Sequence, residues 1–302
     1  MALRIAHHDL YDHPLPANHR FPMAKYTLIP EQLRYEGIAN EDHFFAPEKV
    51  EPELILQTHT AHYWHKLNTL QLSRQEERRT GFPLSRRLVD RELTITQGTV
   101  EGAEWALQGG GCAMNVAGGT HHAYTDRGEG FCLLNDQAVA ARYLLNAGLA
   151  SSILIVDLDV HQGQGTAEIF YGEHRVFTFS MHGKDNYPMK KETSDLDLPL
   201  ESGTQDGTYL DLLYETLPRL IDRQQPDFVF YLAGVDPLHT DKLGRLALSA
   251  DGLRRRDQFV LETLWQKGLP VQISMGGGYS PRLADIVNAH CATFRQAQLI
   301  YG

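Results

Sequence analysis

This sequence has few cysteines, no long apolar run and a deficit of positive charge. Its 302 residues include three cysteines, none in a CxxC spacing, which argues against a disulfide framework and against a thiolate zinc finger. No apolar run approaches the roughly 20 residues of a membrane helix, and no charged-then-apolar segment precedes a cleavage site. Lys and Arg total 28 against 38 Asp and Glu, and the net charge of -10 argues against a nucleic-acid partner. We therefore expect a cytoplasmic protein that binds neither nucleic acid nor a membrane.

Predicted strands and helices alternate through most of the chain. Short apolar or β-branched runs predict strands at 3–6, 112–117, 152–158, 176–180, 228–232 and 271–275. Helical patterns occupy 51–72, 99–107, 136–147, 166–170, 209–223, 249–267 and 282–297. Two polar stretches are predicted to be a long exposed loop with some helix at 73–96 and a long loop at 183–206. The alternation predicts one α/β domain over residues 1–302, with a doubly wound, mostly parallel sheet flanked by helices.

The strand that begins at Ile153 ends in two carboxylates and an imidazole, those of Asp157, Asp159 and His161. Side chains alternate in direction along an extended chain, so these three groups are predicted to point the same way. They are costly to bury together unless they are paired or bind a cation. One aspartate alone would indicate a helix cap at Asp159 beside a solvated loop, but the three together favour a metal site.

Three other predicted strands also end in polar groups. His121 and His122 follow the strand at 112–117, Asp236 follows the strand at 228–232, and Tyr279 follows the last strand and three glycines. Ligands bind outside the carboxyl ends of the strands in a doubly wound sheet, so these groups are expected to meet at one rim. A tyrosine there can donate a hydrogen bond to a developing oxyanion.

The residues expected at this rim can perform metal-assisted hydrolysis. Asp159, His161 and Asp236 can supply three ligands and leave a position open for water, as in a catalytic zinc site. A bound divalent ion can lower the pKa of its water from about 15.7 to roughly 7. A neutral histidine nearby, either His121 or His122, can accept the proton of that water. The pattern therefore predicts hydrolysis of an amide or an ester.

A second group of histidines also allows a metal site. His59, His62 and His65 recur at intervals of three in a predicted helix, so their side chains lie near one face. Packing or capping by one or two of them is the stronger interpretation.

The segments at the strand ends resemble those of the histone deacetylase superfamily, which includes bacterial acetylpolyamine and acetoin-utilisation proteins. Five segments carry the resemblance in the family's order: GGTHHA at 118–123, GFCLLND at 130–136, DLDVHQG at 157–163, GVDPLHTDKLG at 234–244 and GGGY at 276–279. Weaker agreement at 19–22 extends it toward the N-terminus. The resemblance implies an arginase/deacetylase fold and a zinc-dependent deacylase whose substrate is an acylated amine, such as acyl-lysine.

The resemblance also implies a role for each residue at the rim. It assigns Asp159, His161 and Asp236 as the zinc ligands. It assigns His121 and His122 as the catalytic histidine pair. Tyr279 is assigned as the residue that polarises the substrate carbonyl. One zinc ion is expected, although iron(II) also suits such a site.

Further roles surround these residues. The resemblance places Asp157 behind His121, and it implies a structural potassium ion bound by Asp157, Asp159, His161, Ser180 and Met181. It also implies a substrate tunnel lined by Gly130 and Phe131, with Tyr187 as the opposite wall and Leu243 near the floor or rim.

One position departs from many family members. Gln164 stands behind His122 where those relatives carry an aspartate, and a neutral amide stabilises an imidazolium less than a carboxylate does. We therefore expect His122 to be less basic than its counterpart in those relatives. The run Gln162-Gly163-Gln164 is more similar to the class IV deacetylases.

Three alternatives stay open at this point. The substrate could be an acetylated polyamine or another small amide instead of acyl-lysine. A binuclear manganese ureohydrolase on the same fold would need further bridging carboxylates, and Gln164 stands where one could lie. A non-catalytic acyl-ligand binder would be expected to have lost some of the catalytic groups.

Overall fold

A computed structural model describes residues 3–302, and an eight-stranded sheet forms its centre. The strands are β1 (Arg4–Ala6), β2 (Phe44–Phe45), β3 (Cys112–Asn115), β4 (Ile153–Asp157), β5 (Val176–Gly183), β6 (Leu196–Leu200), β7 (Phe228–Leu232) and β8 (Val271–Ser274). Their order across the sheet is β2-β1-β3-β8-β7-β4-β5-β6, and each neighbouring pair is parallel. All the strands therefore direct their carboxyl ends to the same edge of the sheet.

Helices cover both faces of this sheet. They are α1 (Lys25–Tyr35), α2 (Pro52–Ile55), α3 (Ala61–Asn68), α4 (Arg74–Thr80), α5 (Arg86–Trp105), α6 (Asp136–Asn146), α7 (Gln164–Ile169), α8 (Asp206–Gln224), α9 (Ala250–Gln266) and α10 (Leu283–Tyr301). Alternate residues of β4 enter two separate apolar cores: Leu154 and Val156 share one core with α8, α9 and α10, while Ile153 and Ile155 share the other with α6. The predicted doubly wound α/β architecture is confirmed, with an entirely parallel sheet.

The prediction of a mainly exposed loop at 73–96 is wrong. This stretch contains α4 and the first half of α5, and the helix predicted at 99–107 is the second half of α5. Ser85 caps α5 by accepting a hydrogen bond from the Leu88 amide. Arg91 and Glu92 are only 2% and 1% exposed, because they form an ion pair within the helix. A high density of charged residues indicated solvent exposure, whereas pairing allows burial.

Other boundaries also differ from the predictions. The helix predicted at 51–72 is divided into α2 and α3, because Thr60 interrupts it and caps α3 through the Tyr63 amide. The loop predicted at 183–206 contains β6, which pairs with β5 at the edge of the sheet. Its Asp197 and Pro199 are unfavourable in a strand, so the sequence pattern did not indicate one. Neither α1 nor β2 was predicted. Within residues 3–302, the helices lack the combination of length and apolarity needed to cross a membrane.

Candidate active site

Two neighbouring strands bring together a histidine and two aspartates. Asp159 and His161 follow β4, and Asp236 follows the adjacent β7. The Nδ1 atom of His161 lies 3.0 Å from Oδ1 of Asp159 and 3.2 Å from Oδ2 of Asp236. All three residues are buried, and one potential ligand atom from each lies within 4.8 Å of the others.

This group of residues fits a divalent cation. Oδ2 of Asp236 is buried and has no hydrogen-bond partner among residues 3–302. Burial raises the pKa of Asp236 to about 7, and the nearby charge of Asp159 adds to this effect. Burial opposes protonation of His161, but the adjacent carboxylates of Asp159 and Asp236 outweigh it and raise the pKa to about 10. A cation bound at the three atoms would stabilise both carboxylates, and one nitrogen with two oxygens suits zinc.

Asp157 does not point toward this group. Its Oδ2 lies 2.6 Å from Nδ1 of His121, and its Oδ1 accepts a hydrogen bond from the Asp159 amide at 3.1 Å. The prediction of a common direction for the three groups that follow Val156 is therefore wrong. The chain turns after β4, so strict alternation ends at Asp157.

The two neighbouring histidines are each held by a different acceptor. Nδ1 of His121 bonds to the carboxylate of Asp157, and Nδ1 of His122 donates to Oε1 of Gln164 at 2.6 Å. The rings are 4.1 Å apart. Burial lowers the pKa of His122 well below its usual value, and proximity to His121 contributes. Burial also acts on His121, but the carboxylate of Asp157 outweighs it and raises the pKa.

A glycine turn after β8 carries Tyr279 to the same rim. The Gly277 amide donates to Oδ2 of Asp159 at 2.8 Å, and a Cβ atom at Gly277 would lie 2.0 Å from Oδ2 of Asp236. Only glycine therefore allows the turn to approach both carboxylates. Burial raises the pKa of the Tyr279 hydroxyl well above its usual value, so that the group stays a hydrogen-bond donor.

A cavity at this rim is lined by Asp159 and His161. Gly130 and Phe131 line it together with Tyr279 and both histidines of the pair. The backbone of Phe131 has a φ of +68°, and its amide donates to the Thr80 carbonyl at 2.7 Å, which anchors this segment to the end of α4. The two predicted tunnel residues Gly130 and Phe131 thus lie at the cavity.

The other two predicted tunnel residues lie farther out. The Tyr187 ring stands perpendicular to the His122 ring at 5.1 Å, and its hydroxyl donates to Oε2 of Glu129 at 2.6 Å. This side chain is 39% exposed, as expected at an entrance. Leu243 borders a neighbouring surface groove that shares Tyr279 with the cavity.

The residues predicted to bind potassium are also adjacent. Asp157 is in register with Ser180 on the neighbouring strand β5, and Met181 follows. Both β5 residues are buried, and the Ser180 hydroxyl lies 3.0 Å from Nδ1 of His182.

Four cavity residues lie outside the five matching segments and were not predicted as site residues: Phe21, Tyr26, Arg91 and Ile95. Phe21 belongs to the weakly matching segment at 19–22, and Arg91 and Ile95 lie in the stretch interpreted as a loop. The signal that could have found α5 was the spacing of Leu88, Ile95 and the apolar residues between them.

The histidine row at 59–65 is structural. His59 is buried, with Nδ1 donating to the Tyr124 carbonyl at 2.9 Å and Nε2 accepting from the Asn135 amide at 3.0 Å. His62 and His65 are exposed. This agrees with the packing interpretation.

Comparison with known proteins gives the family to which this chain belongs. The histone deacetylase domain matches residues 19–294. The chain therefore belongs to the histone deacetylase family. Its fold is the arginase/deacetylase fold.

Individual relatives are similar over most of their length. An uncharacterized protein of Picosynechococcus sp. is 42% identical over 301 residues, which cover 100% of both chains. A probable deacetylase of Archaeoglobus fulgidus is 30% identical over 267 residues, covering 82% of this chain and 72% of the relative. The crystal structure of an HDAC homolog complexed with SAHA superposes with a TM-score of 0.86 at 25% identity, covering 99% of this chain and 84% of that one.

Proposed function

We propose that this protein is a zinc-dependent deacylase that hydrolyses the amide of an acylated amine, such as acyl-lysine. The observation that carries the proposal is the buried group of Asp159, His161 and Asp236 beside two histidines, each oriented by its own acceptor. The family supports the reaction class. The HDAC homolog complexed with SAHA supports an acylated amine as the substrate.

One divalent ion would be held by Asp159, His161 and Asp236, with zinc favoured and iron(II) as the alternative. When bound, this ion supplies the Lewis acidity that makes water a nucleophile near neutral pH. Within residues 3–302, one buried His/Cys/Asp/Glu group has ligand geometry. This supports a single catalytic ion over the two-manganese alternative.

The histidine pair would divide the proton transfers. His122 donates from Nδ1 to an amide oxygen, so its Nε2 keeps a lone pair and can accept a proton from water. His121 is paired with the carboxylate of Asp157, which stabilises its cation and lets it oppose developing negative charge. Gln164 thus favours a neutral base at His122.

Tyr279 would donate its hydroxyl hydrogen bond to the substrate carbonyl oxygen as charge develops there. Gly130, Phe131 and Tyr187 would enclose the stem of the acylated amine, and Leu243 would border the outer rim. We propose that residues 1–302 act as one catalytic domain.

We also propose a structural potassium ion bound by Asp157, Asp159, His161, Ser180 and Met181. The β4–β5 register and the burial of these residues support it. Replacing potassium by lithium in the buffer should then lower the thermal stability of the protein.

Tyr279→Phe tests the proposed mechanism. The variant should keep one zinc ion per chain by metal analysis but lose most of its turnover, by roughly a hundredfold or more, because one oxyanion donor is removed. Unchanged turnover would refute the role of Tyr279.

A substrate panel tests the wider proposal. Acyl-lysine peptides and acetylpolyamines, from acetyl to myristoyl, should include at least one substrate of the zinc-loaded enzyme. Turnover confined to acetylpolyamines would identify a small-molecule amidohydrolase. Zinc binding without turnover on the whole panel would indicate a binder instead.

A further inference from the structure

The cavity has an inner end that lies away from its entrance. Phe21 and Phe131 are half-buried and stand toward solvent, whereas Tyr26, Arg91 and Ile95 are almost completely buried. All five line the same cavity as the histidine pair and the proposed metal ligands. The inner end is therefore the part of the cavity bounded by Tyr26, Arg91 and Ile95.

Arg91 presents unused hydrogen-bond donors at this inner end. Its Nε donates to the Tyr11 carbonyl at 2.8 Å, and its Nη1 donates to the carboxylate of Glu92. The guanidinium carbon lies 4.9 Å from the centre of the Tyr26 ring. A guanidinium has five N–H donors, and these two bonds together with a contact to the Tyr26 hydroxyl do not use all of them. A ligand in the cavity can therefore reach a cation with free donors.

A second buried cation lies near the inner end. Lys25 lies on the other side of Tyr26, with its Nζ 5.3 Å from the ring centre and fully buried. Its hydrogen bond goes to the Gly276 carbonyl at 3.0 Å. Two buried cations, Lys25 and Arg91, thus flank Tyr26; the carboxylates of Asp159 and Asp236 act on Lys25, and Glu92 pairs with Arg91. Because the pair with Glu92 does not use all the donors of Arg91, a ligand carboxylate can accept a charge-assisted hydrogen bond from it.

We infer that the enzyme prefers a short acyl group that ends in a carboxylate, of malonyl to glutaryl size, and that Arg91 determines this specificity. The inference rests on the proposed function. If the scissile carbonyl lies at Asp159 and His161, the far end of the acyl group extends away from the entrance and toward the inner end of the cavity. Tyr26, Arg91 and Ile95 are buried and close the inner end, so a long acyl chain would clash with them. Hydrolysis would break the amide C–N bond and form a C–O bond to water, releasing a dicarboxylic acid and the free amine.

Matched substrates test this specificity. Succinyl-lysine and butyryl-lysine peptides of one sequence have four-carbon acyl groups that differ in the terminal carboxylate. The zinc-loaded enzyme should show a kcat/KM at least about tenfold higher for the succinyl peptide, the factor expected of a charge-assisted hydrogen bond. The double variant R91M/E92L removes both members of the buried ion pair, so that neither charge is left unpaired. In this variant the butyryl-lysine peptide should become the better substrate. Arg91→Lys should retain part of the succinyl preference.

A matched control removes an ion pair elsewhere. R219M/E215L deletes an exposed pair on α8 and should keep the wild-type ratio of the two substrates. Circular dichroism spectra identical to wild type would show that each double variant folds. An equal preference in wild type, or a ratio unchanged by R91M/E92L, would overturn the inference.

Binding to the metal-free protein separates this inference from the proposed function. Fluorescence anisotropy with labelled peptides should show the succinyl peptide bound about tenfold more tightly than the butyryl peptide, and R91M/E92L should abolish the difference. If neither peptide is hydrolysed by the zinc-loaded enzyme but this binding difference is present, the proposed function fails and the acyl-end specificity of Arg91 stands. Equal binding of both peptides would overturn the role of Arg91, whatever the enzyme hydrolyses.

Discussion

The buried imidazole of His59 should make the protein less stable in mildly acidic solution. Only 2% of His59 is exposed, and its Nε2 accepts a hydrogen bond from the Asn135 amide. A proton added at Nε2 would face that N–H donor, and the resulting charge would lie in an apolar interior. Burial accordingly lowers the pKa of His59 from 6.5 to about 4.

The size of the stability loss follows from the difference between the pKa of His59 in the folded state and its pKa in the unfolded state. As pH falls below 6.5 the unfolded chain binds a proton at His59, while the folded protein does not until pH approaches about 4. The free energy of unfolding therefore falls through this window and levels off below it. A difference of about 2.5 pKa units corresponds to about 3 kcal/mol in total, of which about 2 kcal/mol is lost by pH 5.

Urea unfolding followed by circular dichroism at pH 7 and pH 5 measures this loss. His59→Gln can keep an amide donor and acceptor but does not titrate, so wild type should lose about 2 kcal/mol more than the variant between the two pH values. His182 also has a pKa lowered to about 4. Because it is present in both proteins, its contribution cancels in the comparison. Equal losses in the two proteins would refute this account of His59.

Three other substitutions have defined expected results. Gly81→Ala should lower the free energy of unfolding by about 1–2 kcal/mol and raise KM, because φ is +82° and the new Cβ would lie 2.7 Å from Cε1 of Phe131. Tyr187→Phe should raise KM a few-fold with little change in kcat, because the ring loses its hydrogen bond to Glu129 at the entrance. Gln164→Asp should raise the pKa of the histidine it touches, as measured by NMR titration, because a carboxylate stabilises the imidazolium.

Each result has a control. Gly37→Ala also places alanine at a positive φ, but its Cβ would meet no atom within 4 Å, so it should cost stability without raising KM. An unchanged KM in Gly81→Ala would contradict contact with Phe131. A Tyr187→Phe enzyme with wild-type KM would show that the Glu129 bond does not position the ring. An unshifted histidine in Gln164→Asp would contradict the role assigned to the amide.

The sequence by itself was sufficient for six of the eight strands and for the expectation that the polar groups after several of them meet at one rim. The run from Ile153 to Val156 is apolar at every position because β4 is buried on both faces, so a short window identifies it. Parallel strands deliver their ends to one rim, so the polar groups after β4 and β7 could be expected together. Asp236 could therefore be expected close to His161, although 75 residues separate the two in the sequence.

Only the tertiary structure decided which of these groups face one another. Because the chain turns after β4, Asp157 contacts His121 and Asp159 contacts His161. The two-residue alternation of side chains along a strand does not predict such a turn. The burial of Arg91 could not be predicted from the sequence either, because a charged residue is expected to be exposed to solvent unless its hydrogen-bond partners are known. Those partners are the Tyr11 carbonyl, from a distant segment, and the neighbouring Glu92. Local sequence patterns report the average environment of a face, whereas the pairing of buried polar groups depends on contacts between distant segments.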